Sequence, residues 1–183
     1  LIALVLISPL LFLSTLLIIF EDGLPIFFAQ KRVGLNKKVF IIYKIRTMKK
    51  DAPQKGTHEI RSNFLLTSGN LIRALKLDEF PQLLNVILGH INLVGPRPGL
   101  LVQTALLNER ESRHIFNIKP GITGLSQILG YDMSDPKKLS EVDMIYMKNK
   151  TIFLDFLILL GTFFSKVRNI VSIKIGVPIN QTK

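Results

Sequence analysis

Residues 1–20 form an apolar run whose only polar side chains are Ser8, Ser14 and Thr15. About 20 apolar residues in an α-helix are long enough to cross the hydrocarbon core of a bilayer. A secretory signal peptide is the competing interpretation, but this run is long, contains a proline and is followed by no small-residue cleavage site. We therefore predict a membrane segment over residues 1–22.

Pro9 determines the shape expected of this segment. Proline removes a backbone donor and collides with the preceding turn, so it kinks or breaks a helix. Physical reasoning alone favours a kinked helix that crosses the membrane over one that turns back, because such prolines are tolerated in bilayers. The sequence starts at Leu1, already inside the apolar run, so we expect the natural chain to begin earlier.

Charge and composition limit the partners. Lys and Arg number 24 against 13 acidic residues, a net charge of +11, which predicts phosphates, nucleic acid or an acidic lipid leaflet as partners. The chain is also 48% hydrophobic, and a membrane surface satisfies both tendencies. The absence of cysteine excludes disulfides and thiolate chemistry and fits a reducing compartment. The basic residues that first follow the apolar run place the next domain on the cytoplasmic side of the membrane: Lys31, Arg32, Lys37 and Lys38.

The remaining sequence predicts one α+β, mostly helical domain. Two β-prone runs, at 26–30 and 39–44, flank Gly34-Leu35-Asn36 and predict a small β-hairpin. Residues 50–57 read as a loop. Helices are predicted at 80–88, at 100–116, from Ser134 onward, and over the apolar stretch 151–164. We place the catalytic domain at residues 23–168 and a basic tail at 169–183.

The stretch 151–164 is too short to span a membrane comfortably. It either packs in the core or lies in the plane of the membrane interface as an amphipathic helix. In the second case four aromatic side chains reach the headgroup layer: Phe153, Phe156, Phe163 and Phe164.

The acidic pair Asp78-Glu79 is the most distinctive chemical feature, because it is preceded by Arg73 and Lys76 in a strongly basic chain. A helix start and nearby cations favour an ionised Asp78, which suits a charged nucleophile. Glu79 is a suitable oxygen ligand for Mg²⁺ bound to substrate phosphates.

Two arginines are candidates for holding those phosphates. Arg73 and Arg97 have guanidinium groups that bind phosphate in a bidentate manner, and Arg97 lies on a backbone stiffened by Pro96 and Pro98. Structural roles are the alternatives: Asp78 as the N-cap of helix 80–88, and each arginine as a surface charge or ion-pair partner.

Five segments together resemble the bacterial sugar transferase family, the polyprenyl-phosphate phosphoglycosyl transferases with one membrane segment. They are FFAQKRVG at 27–34, YKIRTM at 43–48, LDEFPQLLNV at 77–86, LVGPRP at 93–98 and KPGITGL at 119–125. Ser8-Pro9 falls where that family breaks its membrane helix. The resemblance covers nearly the whole chain.

This resemblance implies a re-entrant membrane helix and a catalytic domain on the cytoplasmic face of the bacterial inner membrane. It implies that Asp78 attacks the sugar-bearing phosphate of a UDP-sugar and releases UMP. Polyprenyl phosphate, such as undecaprenyl phosphate, then accepts the phosphosugar. By the same match Glu79 contacts Mg²⁺, and four residues line the site: Lys44, Arg73, Arg97 and Asp143. The chain departs from the family at Gly130-Tyr131, where Gly-Arg is frequent, and at Ser126, where an aromatic residue is frequent.

Two rival functions remain from the sequence. A non-catalytic basic module that binds anionic lipid or nucleic acid explains the charge, but not an acidic pair between arginines. The chain has no Trp and only 3 Tyr, so it lacks the stacking platforms of single-strand binders, and we expect no nucleic-acid partner. An enzyme that transfers the sugar without its phosphate predicts UDP rather than UMP as product. The sugar, the polyprenyl length and the oligomeric state are not encoded in any pattern we find.

Overall fold

The computed structural model describes residues 2–53 and 64–180, with side chains described from residue 7 onward. The elements in chain order are α1 Ile2–Asp22, β1 Phe27–Val33, β2 Val39–Ile45, α2 Thr67–Ala74, α3 Gln82–Ile87, β3 Asn92–Val94, α4 Thr104–Ser112, β4 Gly121–Thr123, α5 Leu125–Ile128, α6 Pro136–Asn149, α7 Ile152–Phe163 and α8 Ser165–Ile175. The α+β, mostly helical class is thus confirmed. The chain forms two compact units: residues 1–30 with 41–85, and residues 31–40 with 86–183.

The first unit has its own apolar core. The side chains of Ile18 on α1 and Ile45 on β2 are buried together with Leu66, Ile72 and Leu77. Helix α1 is continuous through Pro9. In the described residues, 2–53 and 64–180, we find no helix whose length and apolarity suffice to cross a membrane.

The sequence analysis correctly predicted the hairpin and the starts of two helices. The hairpin forms, since β1 and β2 pair in a two-stranded sheet. Helix α6 starts where Asp135 accepts a hydrogen bond from the backbone N–H of Lys138 at 3.0 Å, and α7 starts where Thr151 accepts one from Leu154 at 3.1 Å. Both are N-caps that satisfy otherwise unpaired donors of the first turn.

Two predicted helices are shorter than expected. The run 100–116 is helical only over Thr104–Ser112, because His114 adopts a left-handed conformation (φ 58°) and a separate 3₁₀ turn, Ile115–Asn117, follows. The run 80–88 is helical over Gln82–Ile87. Asp78 lies before α3, in a separate 3₁₀ turn formed by Leu77–Glu79.

Part of the predicted basic tail at 169–183 is helical and packs in the core. Helix α8 crosses the proposed boundary at 168/169, and its Val171 is completely buried. The predicted loop 50–57 is irregular at 50–53, and its remainder lies outside the described residues. On α7, Leu154 and Ile158 pack in the core while the aromatic residues named above are exposed.

Strands β3 and β4 were not predicted. They pair in parallel, with Asn92 opposite Gly121 and Val94 opposite Thr123. These short strands belong to the second unit, whose core surrounds Val94, Leu129 and Tyr146. The Tyr146 hydroxyl donates to Asp155 at 2.7 Å, and burial, reinforced by this bond, raises the pKa of Tyr146 far above its ordinary value.

Glycines allow the backbones around β3 and β4 to approach each other closely. The Gly95 N–H donates to Thr123 at 2.9 Å, and the Gly121 N–H donates to Pro96 at 3.0 Å. A Cβ atom at Gly95 would lie 2.6 Å from the Lys119 carbonyl oxygen, closer than real Cβ atoms approach. The two backbones therefore touch directly, which only residues without side chains permit.

Candidate active site

The acidic pair lies in the first unit, in a 3₁₀ turn formed by Leu77–Glu79, which we call the acidic turn. Lys76 precedes it in a left-handed conformation (φ 59°), which ends α2 and redirects the chain. Leu77 is buried in the core and anchors the turn. The Glu79 N–H donates to the Lys76 carbonyl at 3.3 Å, so the backbone that carries both carboxylates is hydrogen-bonded.

Lys44 lies beside this turn. Its Nζ is 2.9 Å from Oε1 of Glu79, and both side chains are largely shielded from solvent. The acidic turn thus brings together three of the predicted site residues: Lys44, Asp78 and Glu79. A shielded cation here stabilises added negative charge, which a phosphate substrate would bring.

The residues after Lys44 attach the neighbouring helices to this strand end. The Thr47 hydroxyl accepts a hydrogen bond from Nε of Arg73 at 2.8 Å, and the Thr47 carbonyl accepts one from the N–H of Leu66 at 3.0 Å. A Cβ atom at Gly69 would collide with that same Thr47 carbonyl. Helix α2, with Arg73, is therefore packed closely against the end of β2.

Arg46 attaches α1 in the same way. Its guanidinium pairs with Asp22 and donates to the carbonyl oxygens of Pro25 at 2.6 Å and Met48 at 3.1 Å. The hydrogen bond from Arg46 lowers the pKa of Asp22 below its ordinary value, so this carboxylate is ionised at neutral pH. The four residues 44–47 therefore link the acidic turn, α2 and the end of α1.

Asn85 on α3 is a site-supporting residue that the sequence analysis missed. Its Nδ2 donates to the carbonyl of Ile41 at 2.7 Å, and its Oδ1 accepts from the N–H of Tyr43 at 3.3 Å. The Asn85 amide therefore pairs with backbone groups of β2, as a neighbouring strand would do. The only available signal was a polar residue within an apolar helical pattern, which sequence alone does not distinguish from an exposed position.

Arg97 and Asp143 lie in the second unit. Asp143 is almost fully buried and accepts hydrogen bonds from Arg110 Nη2 at 2.6 Å and from the Ser126 hydroxyl at 2.8 Å. Nη1 of Arg110 donates to the backbone carbonyl of Arg97 at 2.6 Å. Asp143 thus supports the backbone of Arg97 through Arg110. A direct role of Asp143 or Arg97 in substrate binding stays a prediction.

This network gives the first departure from the family pattern a structural role. The hydroxyl of Ser126, where an aromatic residue is frequent, is one of the two donors to Asp143. The second departure, Tyr131, donates its hydroxyl to the carbonyl of Pro178 at 3.0 Å. Both side chains contribute to the packing of the second unit.

The carboxylates of the acidic turn fit a phosphate-bound Mg²⁺ better than a metal held by protein alone. Within residues 2–53 and 64–180 no group of three or more acidic, histidine or cysteine side chains is placed to hold a metal ion. Magnesium is commonly held by one or two carboxylates together with substrate phosphates and water. Glu79 supplies one such carboxylate, next to Asp78 in the chain.

Sequence comparison agrees with a phosphate-handling transferase site. The chain belongs to the bacterial sugar transferase family, whose model matches residues 1–169. This confirms the resemblance inferred from the five segments, and with it the expectation of a transferase.

Named relatives include enzymes of polysaccharide synthesis. EpsL of Bacillus subtilis, named an uncharacterized sugar transferase, is 45% identical over 140 residues, which cover 75% of this chain and 67% of EpsL. A UDP-N-acetylgalactosamine-undecaprenyl-phosphate N-acetylgalactosaminephosphotransferase of Aeromonas hydrophila is 36% identical over 88% of this chain and 40% of the relative. A UDP-glucose:undecaprenyl-phosphate glucose-1-phosphate transferase of Klebsiella pneumoniae is 32% identical over 88% and 37%, respectively. The chain thus spans less than half the length of the last two relatives.

Proposed function

We propose that this chain transfers a sugar-1-phosphate from a UDP-sugar to polyprenyl phosphate through a covalent intermediate on Asp78. The observation that carries the proposal is the acidic turn, where Asp78 adjoins the shielded Lys44–Glu79 pair. The names of relatives that act with UDP-sugars and undecaprenyl phosphate support the choice of substrates. The reaction would be the first membrane step in assembling a glycan such as an O-antigen, capsule, exopolysaccharide or glycoprotein.

In the first half-reaction, an Asp78 oxygen attacks the phosphorus that bears the sugar. The bond from that phosphorus to the oxygen of the UMP phosphate breaks, and UMP leaves with the bonding electrons. Asp78 then carries the phosphosugar as an acyl phosphate. No proton has to be removed from an ionised carboxylate, so the step needs charge stabilisation more than a general base.

In the second half-reaction, a phosphate oxygen of polyprenyl phosphate attacks the same phosphorus. The acyl phosphate bond breaks, Asp78 is released as a carboxylate, and the lipid carries a diphosphate sugar. Lys44 stabilises the negative charge on the phosphoryl oxygens in both steps, since charge accumulates there each time.

We propose that Glu79 would hold Mg²⁺ together with the substrate phosphates. When bound, the ion would neutralise part of the negative charge on the substrate phosphates. Oε1 of Glu79 accepts from Lys44, which fixes the orientation of the carboxylate. Arg73 and Arg97 remain the proposed phosphate-binding arginines, and Asp143 remains the proposed fourth site residue.

Product analysis tests the reaction. Membranes containing the chain are incubated with a panel of labelled UDP-sugars, Mg²⁺ and polyprenyl phosphate. We expect UMP and a polyprenyl diphosphate sugar for at least one sugar. Release of UDP instead would show transfer of the sugar without its phosphate. Binding to anionic vesicles with no turnover of any sugar would favour the non-catalytic basic module.

We also propose that α1 is re-entrant and that the catalytic residues face the cytoplasm of a bacterial inner membrane. Apolar side chains exposed along α1, including Phe12, Leu13 and Phe20, support contact with lipid. The chain has no cysteine, so single cysteines at its N-terminal end and at the exposed Leu24 can be labelled without background. We expect an impermeant thiol reagent to leave both unlabelled in intact cells and to label both in inverted vesicles. Labelling of the two sites from opposite faces would contradict the re-entrant arrangement.

A further inference from the structure

The segment from the acidic turn through α3 buries its polar side and exposes apolar residues. Asp78, Gln82 and Asn85 are only 9%, 3% and 0% exposed, whereas Leu84 and Ile87 are 48% and 57% exposed. Residues spaced by four and three positions lie on one side of a helical segment. A water-soluble helix normally does the opposite, so the buried polar side requires an explanation.

Asn85 is explained by its two hydrogen bonds to β2. Gln82 is different, because its Nε2 is buried and has no hydrogen-bond partner within the part of the chain that the structure describes. Burying an amide donor without a partner costs about 1–3 kcal/mol. A buried donor without a partner requires an explanation, and a catalytic role is one of the recognised ones.

Gln82 is one helical turn beyond the nucleophile. Because Asp78 attacks phosphorus, the oxygens of the transferred phosphoryl group must come close to the surface that carries Asp78. Side chains on that surface can then form hydrogen bonds with these oxygens. An amide N–H is suited to this position, since it donates to an anionic oxygen without forming an ion pair with the attacking carboxylate. A lysine at this position would instead neutralise both the phosphoryl oxygen and the attacking carboxylate.

We infer that Gln82 is a catalytic residue whose carboxamide N–H donates to an oxygen of the phosphoryl group being transferred. This inference rests on the proposed function. The hydrogen bond strengthens as negative charge moves onto the phosphoryl oxygens and involves no proton transfer. The same phosphoryl group is present in both half-reactions, so Gln82 acts in both.

Two variants separate this role from packing. Gln82→Met keeps the approximate length and removes the donor, and Gln82→Glu keeps the shape and replaces the donor by a carboxylate oxygen. Gln103→Met, in the second unit, is the matched control. The full chain in membranes is mixed with labelled UDP-sugar and Mg²⁺ to measure adduct formation, and polyprenyl phosphate is then added to measure discharge of the adduct.

We expect Gln82→Met to slow formation and discharge each by about 10²-fold, the usual effect of losing one such donor. Its thermal midpoint should be equal to or above that of the wild type, because a buried unpaired donor has been removed. Gln82→Glu should be at least as slow as Gln82→Met, and Gln103→Met should be within about twofold of the wild type in both steps.

Three results for Gln82→Met would overturn the inference. The first is that both steps proceed near the wild-type rate, and the second is that only adduct formation is slowed. The third is that the loss of rate is accompanied by a clear fall in thermal midpoint. The second would place the amide against the departing nucleotide, and the third would make its role structural. A wild-type chain that forms no adduct and releases no UMP rejects the proposed function itself, and this inference with it.

Discussion

Asp78→Asn should reduce UMP release by at least about 10³-fold, because the amide is a far weaker nucleophile than the carboxylate. The substitution preserves shape at a nearly buried position, so the acidic turn and the Lys44–Glu79 pair should persist. Initial rates of UMP formation at saturating UDP-sugar measure the effect.

Asp51→Asn is the matched control, since the same chemical change is made at an exposed aspartate. It should leave the rate of UMP release near that of the wild type. If Asp78→Asn turned over UDP-sugar at a comparable rate, the nucleophile would be a different group and the acidic turn would have a structural or metal-binding role only.

Asp143→Ala should lower the free energy of unfolding by about 3–5 kcal/mol, because it leaves the buried Arg110 guanidinium without its counter-charge. The Ser126 hydroxyl loses its acceptor as well. Chemical denaturation of the detergent-solubilised protein measures the change as a shift in midpoint.

Two further variants test the origin of this loss. Replacing both charges, as Arg110→Met with Asp143→Leu, should recover much of the stability, since an apolar pair avoids the buried uncompensated charge. Glu141→Ala, on the same helix but exposed and 3.5 Å from Arg113, should change the free energy of unfolding by at most about 1 kcal/mol. Lost activity with unchanged stability in Asp143→Ala would instead indicate direct substrate contact.

The features that sequence predicted well are local ones. Asp135 before Pro136 and Thr151 before an apolar run carry their capping role in the residue itself, and both helices begin where expected. The hairpin was also local, because its two strands are separated by a short turn. Such interactions involve neighbours within a few residues, so a single sequence contains the information.

Features that depend on distant residues were missed. His114 in a left-handed conformation ended a helix that periodicity extended to residue 116, since histidine gives no glycine-like signal for such a turn. Strands β3 and β4 pair although α4 lies between them along the chain. Each strand has three residues, too few to show the alternation of apolar and polar side chains. The resemblance added Lys44 and Asp143 to the candidate residues that the charge pattern had indicated. The inward orientation of Gln82 and Asn85 became apparent only from their burial.

Direct detection of the intermediate tests the central claim. The wild-type chain is incubated with UDP-sugar and Mg²⁺ without polyprenyl phosphate, quenched, digested and analysed by mass spectrometry. We expect one peptide containing residues 77–79 to gain the mass of the phosphosugar, to lose it when polyprenyl phosphate is added before quenching, and to be unmodified in Asp78→Asn. A phosphosugar on another residue, or rapid turnover without any modified peptide, would contradict the account.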